Sequence, residues 1–210
     1  MHYIYLHGFA SSAQSYKGTY LRERFAAQGI TLALIDFNQN NFQRLTLTRQ
    51  IHQVETQLIA HQPTTIIGSS FGGLTAAWVA ERQPQVERLV LLAPAFQFWQ
   101  QWVPKLSSEQ AQSWRAGQPL SIYHYGYQQL VPLDYQFLLD LQQYDEVDLQ
   151  RAVPTLVLHG QNDEVIGFDV SRNFTELRSW VSLCPLRSDH SLTNVIDQIW
   201  QQIQTFCKIK

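Results

Sequence analysis

The sequence predicts an α/β fold, with a mostly parallel sheet of about six strands covered by helices on both faces. Short apolar runs rich in β-branched residues, each bounded by turn residues, recur along the chain, and helix-length amphipathic stretches separate most of them. A parallel sheet needs that alternation, because every crossover must carry the chain back to the same edge and a helix does so while covering the sheet. With 210 residues, 45% of them apolar, the chain is long enough to close one full core without disulfide or metal staples.

The runs read as strands are His2 to Leu6, Thr31 to Asp36, Thr64 to Ile67, Leu89 to Ala93, Thr155 to Leu158 and Val181 to Pro185. Between them, helices are expected at about Tyr16 to Gln28, Gln43 to His61, Phe71 to Arg82, Phe168 to Leu177 and Leu192 to Phe206. In the second helix Leu47, Ile51, Val54, Leu58 and Ile59 share one face at helical spacing, which is a packing stripe. The alternation breaks once, between Phe96 and Ala152, in a segment with no convincing strand and many aromatic residues. A structureless loop of that length does not suit a compact domain, so the segment is expected to form an inserted helical cap within a single domain spanning 1–210. Helices near Phe98 to Lys105, Ser108 to Arg115 and Asp134 to Gln143 would build it, with Pro104, Pro119 and Pro132 as breakers.

The charge balance, 15 Lys+Arg against 17 Asp+Glu with no run of like charge, offers no footprint for a phosphate backbone, so nucleic acid is not expected as a partner. Cys184 and Cys207 make no zinc-type spacing and are expected to be free thiols. The N-terminal apolar stretch lacks the basic flank of a signal peptide, and no run of 18 apolar residues occurs, so no membrane insertion is expected and the cytoplasm is the expected compartment.

The chemistry concentrates at the end of the third strand, where Ile66-Ile67-Gly68-Ser69-Ser70-Phe71-Gly72-Gly73 opens directly into a helix. This is G-x-S-x-G in strand–turn–helix context, an arrangement that projects a serine hydroxyl above the sheet while glycines let strand and helix approach. The spacing makes Ser70 the candidate nucleophile; two positions after Ser69 stands Phe71 where the pattern requires glycine. A serine needs a base and an orienting acid, and in this pattern both follow it in the chain. Asp163, in the loop after the fifth strand, is the candidate acid, with Glu164 in reserve. His190, in the loop after the sixth strand, is the candidate base, and its neighbour Asp189 is a weaker rival to Asp163. His52, His61 and His124 are read as surface or packing residues, His2 lies at the terminus, His159 closes a strand, and no metal pattern appears. Two backbone N–H groups would complete an oxyanion hole: that of Phe71, after the nucleophile, and that of Phe9, which His7-Gly8 would aim at the same point. The side chains of Phe9 and Phe71 would then wall the acyl site.

These motifs, in this order, resemble the α/β-hydrolase fold superfamily along nearly the whole chain. Within it, Tyr5-Leu6-His7-Gly8-Phe9 followed by Ser11-Ser12, Ser15 and Lys17, and then Gly68 to Gly73, is similar to the small YqiA/YcfP-type esterases. The resemblance implies a three-layer α/β-hydrolase fold and a cofactor-free, carboxylesterase-like serine hydrolase with Ser70, Asp163 and His190 as its triad. Since the chain enters at the strand bearing His7-Gly8, the two antiparallel strands that open larger members are not expected. The expected substrate is a carboxylic ester of a small apolar acyl group, with Trp99 and Trp102 as candidate substrate-binding residues in the cap. A thioesterase with the same triad and a non-catalytic ligand-binding protein on the same fold are the alternatives.

Overall fold

In the computed structural model, which describes residues 1–209, the chain builds a six-stranded sheet and a separate two-stranded one. The first strand, β1 (His2–Leu6), sends Tyr3 and Tyr5 to one face and Ile4 and Leu6 to the other, all buried. A strand apolar on both sides needs cover on both. One cover is α1 (Tyr16–Ala27), opened by Ser15, whose hydroxyl accepts the Gly18 N–H. Its Leu21 and Phe25 pack on the Tyr3/Tyr5 face, together with Ile199, Trp200 and Ile203 of the C-terminal helix.

After β2 (Leu32–Ile35) the expected long helix is shorter. Phe42–Arg44 form a single 3₁₀ turn and α2 spans Leu47–Glu55. The Thr46 side chain accepts the Arg49 N–H and so caps the helix at its first apolar residue. Leu47, Ile51 and Val54 of the stripe are buried against the second face, whereas Ile59 lies beyond the helix end and is half exposed. Next come β3 (Thr64–Ser69), α3 (Phe71–Arg82) and β4 (Val86–Leu92).

The segment after β4 holds α4 (Phe98–Trp102) and α5 (Ser108–Arg115), both anticipated, and then a hairpin that was not, β5 (Leu120–His124) and β6 (Gln129–Leu133). Pro132 is paired with Ser121 in it, which a two-stranded ribbon tolerates because each strand has one open edge. The period-two pattern is masked by His124, a polar side chain at an inward position that is nevertheless fully buried. After α6 (Gln136–Leu141) the main sheet resumes with β7 (Thr155–Gly160), α7 (Phe168–Glu176), β8 (Val181–Leu186) and α8 (Ile196–Cys207).

The main sheet runs β2-β1-β3-β4-β7-β8, every pair parallel. All six strands therefore end at one edge, and the loops after β1, β3, β7 and β8 open there together, where such sheets bind ligands.

Candidate active site

Ser70 lies between β3 and α3 at φ 52° and ψ −120°, a region that costs a side-chain-bearing residue about 1–3 kcal/mol. The surroundings hold it there. Its N–H donates to the Leu92 carbonyl at 2.8 Å, and its own carbonyl accepts from Gly73 and Ala95 at 2.8 and 3.0 Å. The glycines at both ends of the motif are required by close approach. A Cβ on Gly72 would stand 2.6 Å from the His7 carbonyl oxygen and closer still to that of Leu6; one on Gly68 would meet the Gly73 Cα at 2.7 Å.

The imidazole of His190 reaches over this turn. Its Nε2 is 3.0 Å from Ser70 Oγ and its Nδ1 is 2.7 Å from Asp163 Oδ2. Gly160, at the end of β7, lets the His190 loop cross, since a Cβ there would lie 2.5 Å from the carbonyl oxygens of Ser188 and Asp189. Asp163 has a wholly buried side chain whose Oδ1 accepts the N–H groups of Val165 and Ile166 at 2.9 and 2.8 Å. Burial alone would push its pKa up; the hydrogen bonds from His159, His190 and the Ile166 N–H outweigh that and hold it well below the usual carboxylate range. An ionised carboxylate only accepts, so His190 carries its proton on Nδ1 and turns an unprotonated Nε2 toward the Ser70 hydroxyl.

The rival acids are elsewhere. Glu164 is exposed, and the Asp189 carboxylate is occupied by the N–H and hydroxyl of Ser191 at 2.9 and 2.6 Å. His159, at the close of β7 as the sequence suggests, also stands directly on the acid. Its buried ring places Nε2 3.0 Å from Asp163 Oδ2 and Nδ1 2.7 Å from Ser171 Oγ. The i, i+4 spacing of His159 and Asp163 across the end of β7 was the only signal in the sequence.

Phe71 heads α3 and Phe9 follows Gly8, whose missing Cβ would be 3.2 Å from Ser70 Cβ. Among the described residues neither Phe9 N–H nor Phe71 N–H has a protein acceptor. The two side chains differ from expectation. The Phe71 ring is fully buried and belongs to the core, packed against Phe9, Phe98 and Phe137, so only Phe9 walls the cleft. That cleft measures about 290 Å³, and Phe9, Tyr125, Ser15, Lys17 and Thr193 stand around Ser70 and His190. Trp99 and Trp102 lie outside its lining. Trp102 stacks on Phe98 and touches the far side of Phe9, at ring separations of 5.6 Å each, because its helix is drawn into the aromatic core. Tyr125, from the unanticipated hairpin, takes the rim position instead.

Among the described residues no cluster of His, Cys, Asp and Glu is arranged to hold a metal ion, Cys184 and Cys207 are free, and no helix is long and apolar enough to cross a membrane.

No curated protein matches the chain by sequence. Solved structures do match in three dimensions. Est1E from Butyrivibrio proteoclasticus is 16% identical, with a TM-score of 0.75 over 98% of this chain and 87% of that one. Monoacylglycerol lipase from Paleococcus ferrophilus is 15% identical, with a TM-score of 0.76 over 99% and 94%. Mouse alpha/beta hydrolase domain-containing protein 10 is 18% identical, with a TM-score of 0.71 over 96% and 89%. At such identities the likeness establishes the fold, which is the three-layer α/β-hydrolase fold. The model of the uncharacterised protein family UPF0227 matches residues 2–207, in keeping with the resemblance carried by the His7-Gly8-Phe9 and Gly68 to Gly73 motifs, and the chain belongs to that family.

Proposed function

We propose that the protein is a serine hydrolase that cleaves carboxylic esters of small apolar acyl groups through an acyl-enzyme. The observation that carries this reading is the unbroken chain Ser70 Oγ, His190 Nε2, His190 Nδ1, Asp163 Oδ2, closed at 3.0 and 2.7 Å above a strained serine. In the first half of the reaction His190 takes the hydroxyl proton as Ser70 Oγ attacks the ester carbon. The N–H groups of Phe9 and Phe71 hold the developing oxyanion, and the proton passes to the departing alcohol. Water then repeats the sequence on the acyl-Ser70 ester and releases the acid. Asp163 stays ionised and orients the ring throughout, and the chemistry calls for no cofactor. A cleft of about 290 Å³ is at the small end of ligand sites, which favours short acyl chains.

The test is labelling with a fluorophosphonate together with turnover of p-nitrophenyl acetate. Both should be present in the wild type and absent in a normally folded Ser70→Ala variant. Retention of more than a few per cent of turnover in Ser70→Ala would remove Ser70 from the mechanism.

A further inference from the structure

The cleft over Ser70 contains a lysine that the hydrolytic steps do not use. Lys17 stands in the first turn of α1, and its ammonium donates to the Ser191 carbonyl at 2.6 Å. That bond engages one of its three N–H donors. Among the described residues no carboxylate forms an ion pair with it: Asp189 is exposed and bonded to Ser191, and Asp163 is buried behind His190. The other titratable side chains lining the cleft are His190 from the loop after β8, Tyr5 from β1, Tyr16 from α1 and Tyr125 from the hairpin, and Ser11, Ser15 and Thr193 add hydroxyls. Apart from the imidazole these are hydroxyl-bearing and neutral.

Lys17 is partly buried, and a partly desolvated cation without a counter-charge is costly. Burial lowers the Lys17 pKa to about 8, against the more distant pull of Asp189 and Asp163. An anion entering the cleft would supply the missing partner, and the hydroxyls of Ser15 and Thr193 would add donors to it. The side of the substrate also follows. His190 must face the departing alcohol oxygen to protonate it, and Lys17 is tied to the residue next to His190. The Phe9 ring turns the other way, into the aromatic core on the opposite face of the sheet from α1.

We propose that Lys17 is a specificity-determining residue that binds a carboxylate or phosphate carried by the alcohol half of the ester. This rests on the hydrolase reading above, and the test separates the two. The substrates are 4-acetoxybenzoate, 4-acetoxyphenyl phosphate and the neutral methyl 4-acetoxybenzoate, and the readout is the ratio of kcat/KM for each anionic ester to that of the neutral one. Loss of a charge-assisted contact should lower that ratio about tenfold or more in Lys17→Met, while Lys17→Arg should keep most of it. In the wild type the ratio should fall as pH rises through about 8, because Lys17 is charged below that value and neutral above it. That second measurement needs no variant to fold. The better of the two anionic esters identifies the anion as carboxylate or phosphate. An unchanged ratio in Lys17→Met, or a wild-type ratio flat between neutral pH and about pH 10, overturns the assignment while fluorophosphonate labelling of Ser70 leaves the hydrolase standing. No labelling and no turnover of any of the three esters would remove both.

Discussion

Replacing His159 by leucine asks whether a wholly buried imidazole positions the acid of the proposed triad. Its Nε2 is 3.0 Å from both Asp163 Oδ2 and the Ile166 carbonyl, and its Nδ1 is 2.7 Å from Ser171 Oγ. The Ile166 carbonyl can only accept, so Nε2 carries the proton. Leucine removes one charge-assisted bond to a buried carboxylate, about 1.5–3 kcal/mol, and leaves the Ser171 hydroxyl unpaired, about 1–3 kcal/mol. A stability loss of about 3–5 kcal/mol is therefore expected. Turnover should suffer less, because Asp163 keeps His190 and the N–H groups of Val165 and Ile166 and stays ionised at neutral pH. The fall in kcat should stay well short of the about 10⁴-fold that loss of the acid causes in the serine-protease precedent. Acid provides a readout specific to positioning. A carboxylate with a depressed folded pKa contributes stability above its unfolded value of about 3.9, and that contribution is lost as pH falls further. As pH falls the variant's folded carboxylate protonates before that of wild type, so the stability gap should begin to narrow only below the variant's own folded pKa, which is itself below about 3.9. His159→Gln, which keeps a donor, should recover part of the gap. Urea unfolding between about pH 7 and pH 2, with kcat on p-nitrophenyl acetate, measures all of this. A gap that does not change with pH, or a kcat as low as that of Asp163→Asn, would refute the reasoning.

Asp163→Asn should cost about 10⁴-fold in kcat by favouring the wrong tautomer of His190, whereas Glu164→Gln, on an exposed side chain, should leave kcat within about twofold; the reverse ranking moves the acid by one residue. Gly72→Ala should lower stability by about 1–3 kcal/mol despite the better helix propensity of alanine, because its Cβ meets the backbone of Leu6 and His7; an unchanged Tm refutes the close-approach argument. Since the Lys17 pKa is lowered to about 8, the unfolded chain binds more protons than the folded one above that pH. Wild type should accordingly gain stability relative to Lys17→Met between about pH 8 and pH 10, and equal slopes in urea unfolding would contradict the desolvation. Trp102→Ala should free space behind Phe9 and shift the preference among p-nitrophenyl esters toward longer acyl chains, and an identical chain-length profile excludes Trp102 from acyl selection.

What the sequence made legible is what depends on local chemistry. The six strands, the serine turn and the order Ser70, Asp163, His190 rest on patterns a few residues wide, and in the structure His190 comes within hydrogen-bond reach of both Ser70 and Asp163. Features that depend on distant partners were hidden. His159 reads as one more strand residue until β7 is placed beside α7, which brings Ser171 to its ring. Trp102 reads as a candidate substrate-binding residue of an inserted helix, and only the packing of Phe9, Phe98, Phe137 and Trp114 around it shows why it turns into the core. The hairpin was obscured for a third reason. Pro132 argues against a strand in any central position, and nothing local says that this ribbon has only two strands.

That hairpin reaches the proposed oxyanion site by a route the aromatic composition does not suggest. At its turn the Tyr125 N–H donates to the Ala10 carbonyl at 2.8 Å. The buried ring of His124, stacked on Tyr127, accepts the Tyr127 N–H at Nδ1 and so carries its proton on Nε2, 3.0 Å from Asn38 Oδ1. Burial, with the nearby His7, lowers the His124 pKa and keeps the ring in this neutral form. The amide of Asn38 in turn donates to the Ser11 carbonyl at 2.8 Å. Ala10 and Ser11 directly follow Phe9, and Ala10 is held at φ 51°, a conformation that alanine does not adopt unaided. The loop that would supply one oxyanion donor is therefore braced from two sides, by Asn38 in the loop after β2 and by the segment inserted between β4 and β7. A donor stabilises a developing charge in proportion to how little it must move to meet it. Under the proposed mechanism, the inserted segment acts on the chemistry through the backbone it immobilises as well as through any acyl group it contacts.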